Sequence, residues 1–165
     1  VSTSPDPTVV SLADEEYLRA AIEAAREARA GGNHPFGAVL VTADGRVLRG
    51  LNTVVTDRDP TGHAETNLVR IAARELDADI LHTSTLYTST EPCVMCAGAI
   101  YWAGIGRMVY ALPAVALNAI VAPVSEEPVL HLPSRDVLAA GGNTVRVAGP
   151  ALVAEAAAVH EGFWG

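Results

Sequence analysis

A chain of 165 residues, 50% apolar and 18% charged, is long enough for one domain with a real core. A formal net charge of −8, with a pI near 5.0, opposes binding to a phosphate backbone, whose affinity rests on clustered cations, so the expected partners do not include nucleic acid. No apolar run approaches the ~20 residues that span a bilayer, and two cysteines without a basic-plus-apolar leader predict an intracellular, cytoplasmic protein without disulfides.

Residues 1–10 are rich in Ser, Thr and Pro and read as a flexible N-terminus ahead of a single domain over 11–165. Ser11 with Asp14 marks a capped helix start. Leu12, Tyr17, Leu18, Ala21, Ile22 and Ala25 supply its apolar face, and Gly31-Gly32 stops it. Residues 37–41 and 46–51 bracket Ala43-Asp44-Gly45, a hairpin signal. A helix after His63 places Leu68, Ile71, Ala72 and Leu76 on one side. Residues 84–90 form a strand feeding a helix that starts at Pro92, and 107–112 form the next strand, which implies a parallel right-handed crossover. Residues 113–136 carry four prolines and no clear period, and no element is assigned there. Residues 144–148 read as a fifth strand and 150–161 as a closing helix. This order predicts an α/β fold, a three-layer α/β/α sandwich around a five-stranded mixed sheet.

Two short motifs carry the chemistry. His63-Ala64-Glu65 and Pro92-Cys93-Val94-Met95-Cys96 bring together three zinc-type ligands, His63, Cys93 and Cys96, with a carboxylate beside them. A structural zinc site normally closes with four Cys or His ligands, whereas three leave a position for a water whose pKa falls towards neutrality. Replacing an aromatic C–NH2 by C=O needs a hydroxide at the ring carbon, a proton on a ring nitrogen and another on the departing amine. One carboxylate beside the metal, Glu65, can carry all of these in turn. At the start of a helix His63 and Glu65 diverge by about 200° around the axis, so only one need face the metal. Cys93 and Cys96 share a helical face, and Pro92 suits the first helical position. Free N–H groups and the helix dipole there favour thiolate over thiol. A redox dithiol is the competing reading of Cys93 and Cys96, but it leaves His63 and Glu65 unexplained.

The segments Asn33-His34-Pro35-Phe36-Gly37-Ala38-Val39, Asp59-Pro60-Thr61-Gly62-His63-Ala64-Glu65 and Leu86 to Trp102 resemble the cytidine deaminase superfamily, most closely its guanine deaminase and tRNA adenosine deaminase branch. The resemblance covers residues 11–112 well and the tail poorly. It implies a cytidine-deaminase-like fold, one zinc ion per chain on His63, Cys93 and Cys96, and Glu65 as proton shuttle. It further implies Asn52 and the Ala64 N–H as contacts to the substrate ring, with Phe36 and Trp102 as its walls. Guanine deaminases carry an acidic residue soon after the strand matching 108–111. Here the run from Leu112 to Ser125 has none before Glu126; only Asn118 and Ser125 offer polar groups, and Asn118 is a candidate contact to the base. Phe163 and Trp164, at the C-terminus, are candidates to complete the pocket in their own chain or in a partner. His34, His82, His131 and His160 have no metal partner in sequence. Glu91 is a candidate to orient the site.

The expected activity is hydrolytic deamination of a small free aromatic base, with water as co-substrate, by a homodimer. The base could be guanine-like, an oxidised guanine, an aminotriazine or a cytosine analogue. The alternatives are tRNA adenosine deamination and a zinc-stabilised binding module without catalysis.

Overall fold

The computed structural model describes residues 6–125, 129–130, 132–142 and 144–165. Seven helices and five strands follow one another among them: α1 (Leu12–Ala30), β1 (Gly37–Val41), β2 (Val47–Leu51), α2 (Ala64–Glu75), α3 (Ala78–Thr83), β3 (Thr85–Thr90), α4 (Val94–Trp102), β4 (Arg107–Leu112), α5 (Ala114–Val121), α6 (Ser134–Ala139), β5 (Arg146–Ala148) and α7 (Val153–Ala158). The strands form one mixed sheet in the order β2-β1-β3-β4-β5. β1 is antiparallel to β2 and β3, while β3, β4 and β5 run parallel. This is the expected five-stranded mixed sheet between helical layers.

Gly37-Ala38-Val39-Leu40-Val41 is an uninterrupted small or apolar run, and β1 is buried at all five positions, as a central strand covered on both faces must be. Its side chains divide between two cores. Ala38 and Leu40 join Leu68, Leu86, Ile100 and Met108 beneath α2 and α4, while Val39 and Val41 join Leu18, Ile22, Val109 and Leu112 beneath α1. Two glycines let helices sit directly on the strands. A Cβ at Gly37 would lie 2.3 Å from the Ala25 backbone nitrogen of α1, and one at Gly50 would lie 2.4 Å from the Ala64 carbonyl oxygen of α2.

α1 begins with a complete capping box. Ser11 Oγ accepts from the Asp14 N–H, and the Asp14 carboxylate accepts from the Ser11 N–H. The same carboxylate accepts two bonds from Arg107, at 2.6 and 3.0 Å, and one from the Tyr87 hydroxyl at 2.8 Å, which ties the helix start to β3 and β4. Burial alone would raise the Asp14 carboxyl, but Arg107, the Ser11 N–H and Tyr87 hold it well below the usual carboxylate range.

Several boundaries differ from expectation. Leu12 is 83% exposed, so the buried stripe of α1 is Leu18, Ala21, Ile22, Ala25 and Ala28. Those spacings return to one side of a 3.6-residue helix, and burying Leu18 and Ile22 contributes about 1.5–3 kcal/mol each. Pro92 lies before α4 and not at its first position, because Cys93 is the extended N-cap (ψ 172). α7 starts at Val153 and not at Pro150, since Leu152 holds a left-handed φ of 54 that α-helix cannot continue. The stretch without an assigned element contains α5 and the start of α6, and a short helix, α3, precedes β3. Of the N-terminal segment, residues 1–5 lie outside the described residues, while the Pro7 and Val9 carbonyls accept bonds from Arg107.

Candidate metal and catalytic site

The metal-type ligands stand at two helix starts. His63 is the N-cap of α2 and Cys93 the N-cap of α4, both with extended backbone and neither using its side chain as a cap. Cys96 follows within the first turn of α4. His63 Nδ1 lies 3.6 Å from Cys93 Sγ and 3.5 Å from Cys96 Sγ. A tetrahedral zinc with Zn–S near 2.3 Å and Zn–N near 2.05 Å would put nitrogen and sulfur about 3.6 Å apart, so the donor set fits that ion. All three ligand atoms lie within 4.8 Å of one another, and no other such group of three occurs among the described residues. Cys96 is buried and Cys93 exposed, which leaves the Cys93 side open to an incoming molecule.

Electrostatics separate the two thiols. A hydrogen bond from Cys96, then one from His63, lowers Cys93 to about 4, while the Cys96 thiol is raised by its bond to Cys93 and by burial. The Cys93 contact raises the His63 imidazole against the opposing effect of burial. Metal binding needs both sulfurs as thiolates, so loading releases the Cys96 proton.

Glu65 occupies the second position of α2 and is 5% exposed. Burial raises its carboxyl above the usual range, opposed by the Thr88 hydroxyl 2.7 Å from Oε1. Thr88 was not among the sequence-derived candidates. The strand alternation that places Leu86 and Thr88 on the α2 side was the signal for it. Ala64 opens α2, and its N–H is one of four that lack an intrahelical partner.

Asn52 lies just past β2. Its N–H donates to the Phe36 carbonyl at 3.2 Å and its Oδ1 accepts from the Val54 N–H at 3.1 Å, an Asx-type turn. Its Nδ2 is buried without a partner. Phe36 packs on the core beneath α2 and also meets the C-terminal segment of its own chain. Trp164 lies 6.1 Å from Phe36, 5.4 Å from His34 and 4.8 Å from Phe163, measured between ring centroids. His160 is 2% exposed, stacks on Trp164 and accepts its indole N–H at 3.1 Å. Burial, with a contribution from Arg29, lowers its imidazole to about 4.

Trp102 stands apart from this group. It ends α4, about 12 Å along the axis from the first helical residue at 1.5 Å per residue, and is 85% exposed. Its ring meets Tyr101 edge-on. Asn118 is half-buried on α5. Glu126 and His131 lie outside the described residues. Glu91 does organise this region. Its carboxylate accepts from the N–H of Ala114, the first residue of α5, and from the N–H and hydroxyl of Ser134, the first residue of α6.

A three-ligand metal centre beside a buried carboxylate, at two helix starts on a mixed sheet, defines a hydrolytic metal site. The family model described as the cytidine and deoxycytidylate deaminase zinc-binding region matches residues 12–112. A probable cytosine deaminase of Schizosaccharomyces pombe is 41% identical over 157 residues, covering 95% of this chain and 96% of that protein. A tRNA-specific adenosine deaminase of Haemophilus influenzae is 43% identical over 98 residues, 59% of this chain and 57% of that one. A solved guanine deaminase from Nitrosomonas europaea superposes with a TM-score of 0.73 at 27% identity, covering 94% of this chain and 86% of the other. The chain belongs to the cytidine and deoxycytidylate deaminase family and is a zinc-dependent deaminase.

Proposed function

We propose that this deaminase hydrolyses the exocyclic amine of a small free aromatic base, taking up water, releasing ammonia and leaving a ring carbonyl. The observation that carries the reading is the buried, unpartnered Asn52 Nδ2 at the end of the strand beneath α2. A buried donor without a partner is costly, and a ring acceptor on a bound base would satisfy it.

His63 Nδ1, Cys93 Sγ and Cys96 Sγ would hold zinc, which when bound lowers the pKa of a water towards neutrality and polarises it for attack. Glu65 is the proton carrier. Its carboxylate takes a proton from the attacking water and gives it to the ring nitrogen, then takes the remaining hydroxyl proton and passes it to the amine, which departs as ammonia as the carbonyl forms. Burial raises that carboxyl above the usual range, which favours its taking up a proton, and the Thr88 hydroxyl fixes its orientation. Phe36 supports one face of the ring, the Ala64 N–H faces the reacting edge, and Phe163 and Trp164 close the pocket within the same chain. Asn118, half-buried on α5, is a further candidate contact to the base.

A cytosine-type aminopyrimidine is the preferred base. The likeness to the cytosine deaminase runs through the tail, whereas that to the tRNA enzyme covers little more than half of the chain. The charge of −8 also disfavours RNA. Guanine is the second reading, favoured by the likeness to the Nitrosomonas enzyme over nearly the whole chain. We further propose a homodimer whose contact includes Met95, Ala99 and Trp102, which share one side of α4 at i, i+4 and i+7.

The test is ammonia release by zinc-loaded protein from cytosine, 5-azacytosine, guanine, 8-oxoguanine, ammeline, cytidine, guanosine and a tRNA anticodon stem, with Glu65→Gln alongside. Turnover of a free base that falls at least ~10³-fold in Glu65→Gln, zinc retained, supports the proposal. Activity confined to RNA overturns the substrate class, and a variant as competent as the parent protein would mean that Glu65 is not the proton carrier.

A further inference from the structure

Only two buried side-chain polar atoms lack a partner among the described residues: Asn52 Nδ2 and Thr90 Oγ1. Strand register relates them. Gly37 pairs with Leu51 on one side of β1, and Ala38 pairs with Thr88 on the other. Continued outward by one and two residues respectively, that register sets Phe36 opposite Asn52 and opposite Thr90. The Asn52 N–H to Phe36 carbonyl bond and the Gly37 N–H to Ser89 hydroxyl bond support it on either side.

Directly opposed residues share a face of the sheet. The next row inward is Gly50, Ala38 and Thr88. Gly50 lies under the α2 backbone and Thr88 reaches Glu65, so this face is the one that α2 covers. Asn52, Phe36 and Thr90 therefore form a floor at the end of the sheet from which α2 and α4 start. Two strand spacings of 4.7–4.9 Å put the backbones of Asn52 and Thr90 about 10 Å apart, with the Phe36 ring between them. A planar heterocycle lying on Phe36 would present opposite edges to these two polar groups.

We infer that Thr90 is a specificity-determining residue whose hydroxyl hydrogen-bonds the edge of the base opposite Asn52, so that the substrate carries a polar atom on both edges. The inference rests on the small-base reading above. A hydroxyl both donates and accepts, so it can meet a ring nitrogen, a carbonyl or an amino group, whereas a C–H edge leaves it unsatisfied.

The test compares Thr90→Val, which keeps the shape without the hydroxyl, with Thr90→Ser, which keeps the hydroxyl. Both are measured as zinc-loaded protein on the base turned over best in the panel above. Thr90→Val is expected to raise KM about tenfold, the equivalent of one hydrogen bond, with kcat within about twofold. The same tenfold weakening is expected in the dissociation constant of that base, measured calorimetrically on Glu65→Gln with and without Thr90→Val. Zinc content should be unchanged and Tm not lowered, because the hydroxyl has no partner within the fold to lose. Thr90→Ser should return KM to the parent value. An unchanged KM in Thr90→Val, or a Thr90→Ser variant as impaired as Thr90→Val, would overturn the inference while leaving the functional reading intact. A parent protein silent across the panel would sink that reading and this inference together.

Discussion

Glu91 offers a quantitative test of how the region after β4 is held. α5 and α6 both have proline at the N-cap, Pro113 and Pro133, and neither has a side-chain cap bond. Glu91 supplies what those prolines cannot. One carboxylate oxygen accepts from the Ala114 N–H at 3.0 Å, and the other from the Ser134 N–H at 3.1 Å and the Ser134 hydroxyl at 2.9 Å. Glu91→Ala removes three charge-assisted bonds. These are part-buried, so water restores some of each, and about 1 kcal/mol per bond gives about 3 kcal/mol in all. At 2–4 °C per kcal/mol for a chain of this size, Tm should fall by roughly 6–12 °C. Glu91→Gln keeps one acceptor oxygen, which can serve Ser134 but then turns an NH2 towards the Ala114 N–H. Its loss should be about half as large. Thermal unfolding of the zinc-loaded proteins, monitored by circular dichroism, is the assay. A Glu91→Ala protein within 2 °C of the parent would refute the tertiary-cap argument, since the prolines would then need no substitute.

Two further expectations follow from contacts described above. Asp14 is ionised in the fold well below the usual carboxylate pKa of about 4, so the unfolded chain binds more protons and its contribution to stability is lost as pH falls below that value. Asp14→Asn should cost about 3 kcal/mol at pH 7, because Arg107 loses its buried partner, and should flatten the fall in Tm between pH 5 and 3. An unchanged acid limb would exclude Asp14 as its source. If Trp102 lies in a dimer contact, Trp102→Glu should convert the zinc-loaded protein to monomer in sedimentation velocity, and a monomeric parent protein would remove the dimer proposal.

The succession of strands along the chain was legible because each strand is bounded by glycine, proline or a hairpin turn, and the metal ligands because their spacing is local; the order of the strands within the sheet was not. α5 was not, since Ala-Val-Ala-Leu-Asn-Ala-Ile-Val is apolar everywhere but at Asn118 and has no period to read. Pro92 suggested a helix start two residues too early, because the first-position preference of proline says nothing about a following residue that must turn its side chain outward as a ligand. Trp102, a pocket wall by resemblance, ends a nine-residue helix whose other end carries the ligands, a separation that the local motif does not convey. Thr88, Thr90 and the role of Glu91 depend on contacts across strands and between distant helices, which no local pattern announces. His160 is similar: its burial against Trp164 comes from the tail folding back over Phe36, a tertiary event.

The glycine contacts bear on how such a centre tolerates change. At Gly50 the strand touches the Ala64 carbonyl, one residue from His63 and one from Glu65, with no side chain interposed. Gly37 does the same for α1 on the opposite face. The height of the ligand and the proton carrier above the sheet is thus gauged by main chain against main chain, a dimension that no rotamer can adjust. Substitutions in the surrounding core can alter how firmly α2 is pressed down, but its lower limit is a backbone contact, like a shim of fixed thickness.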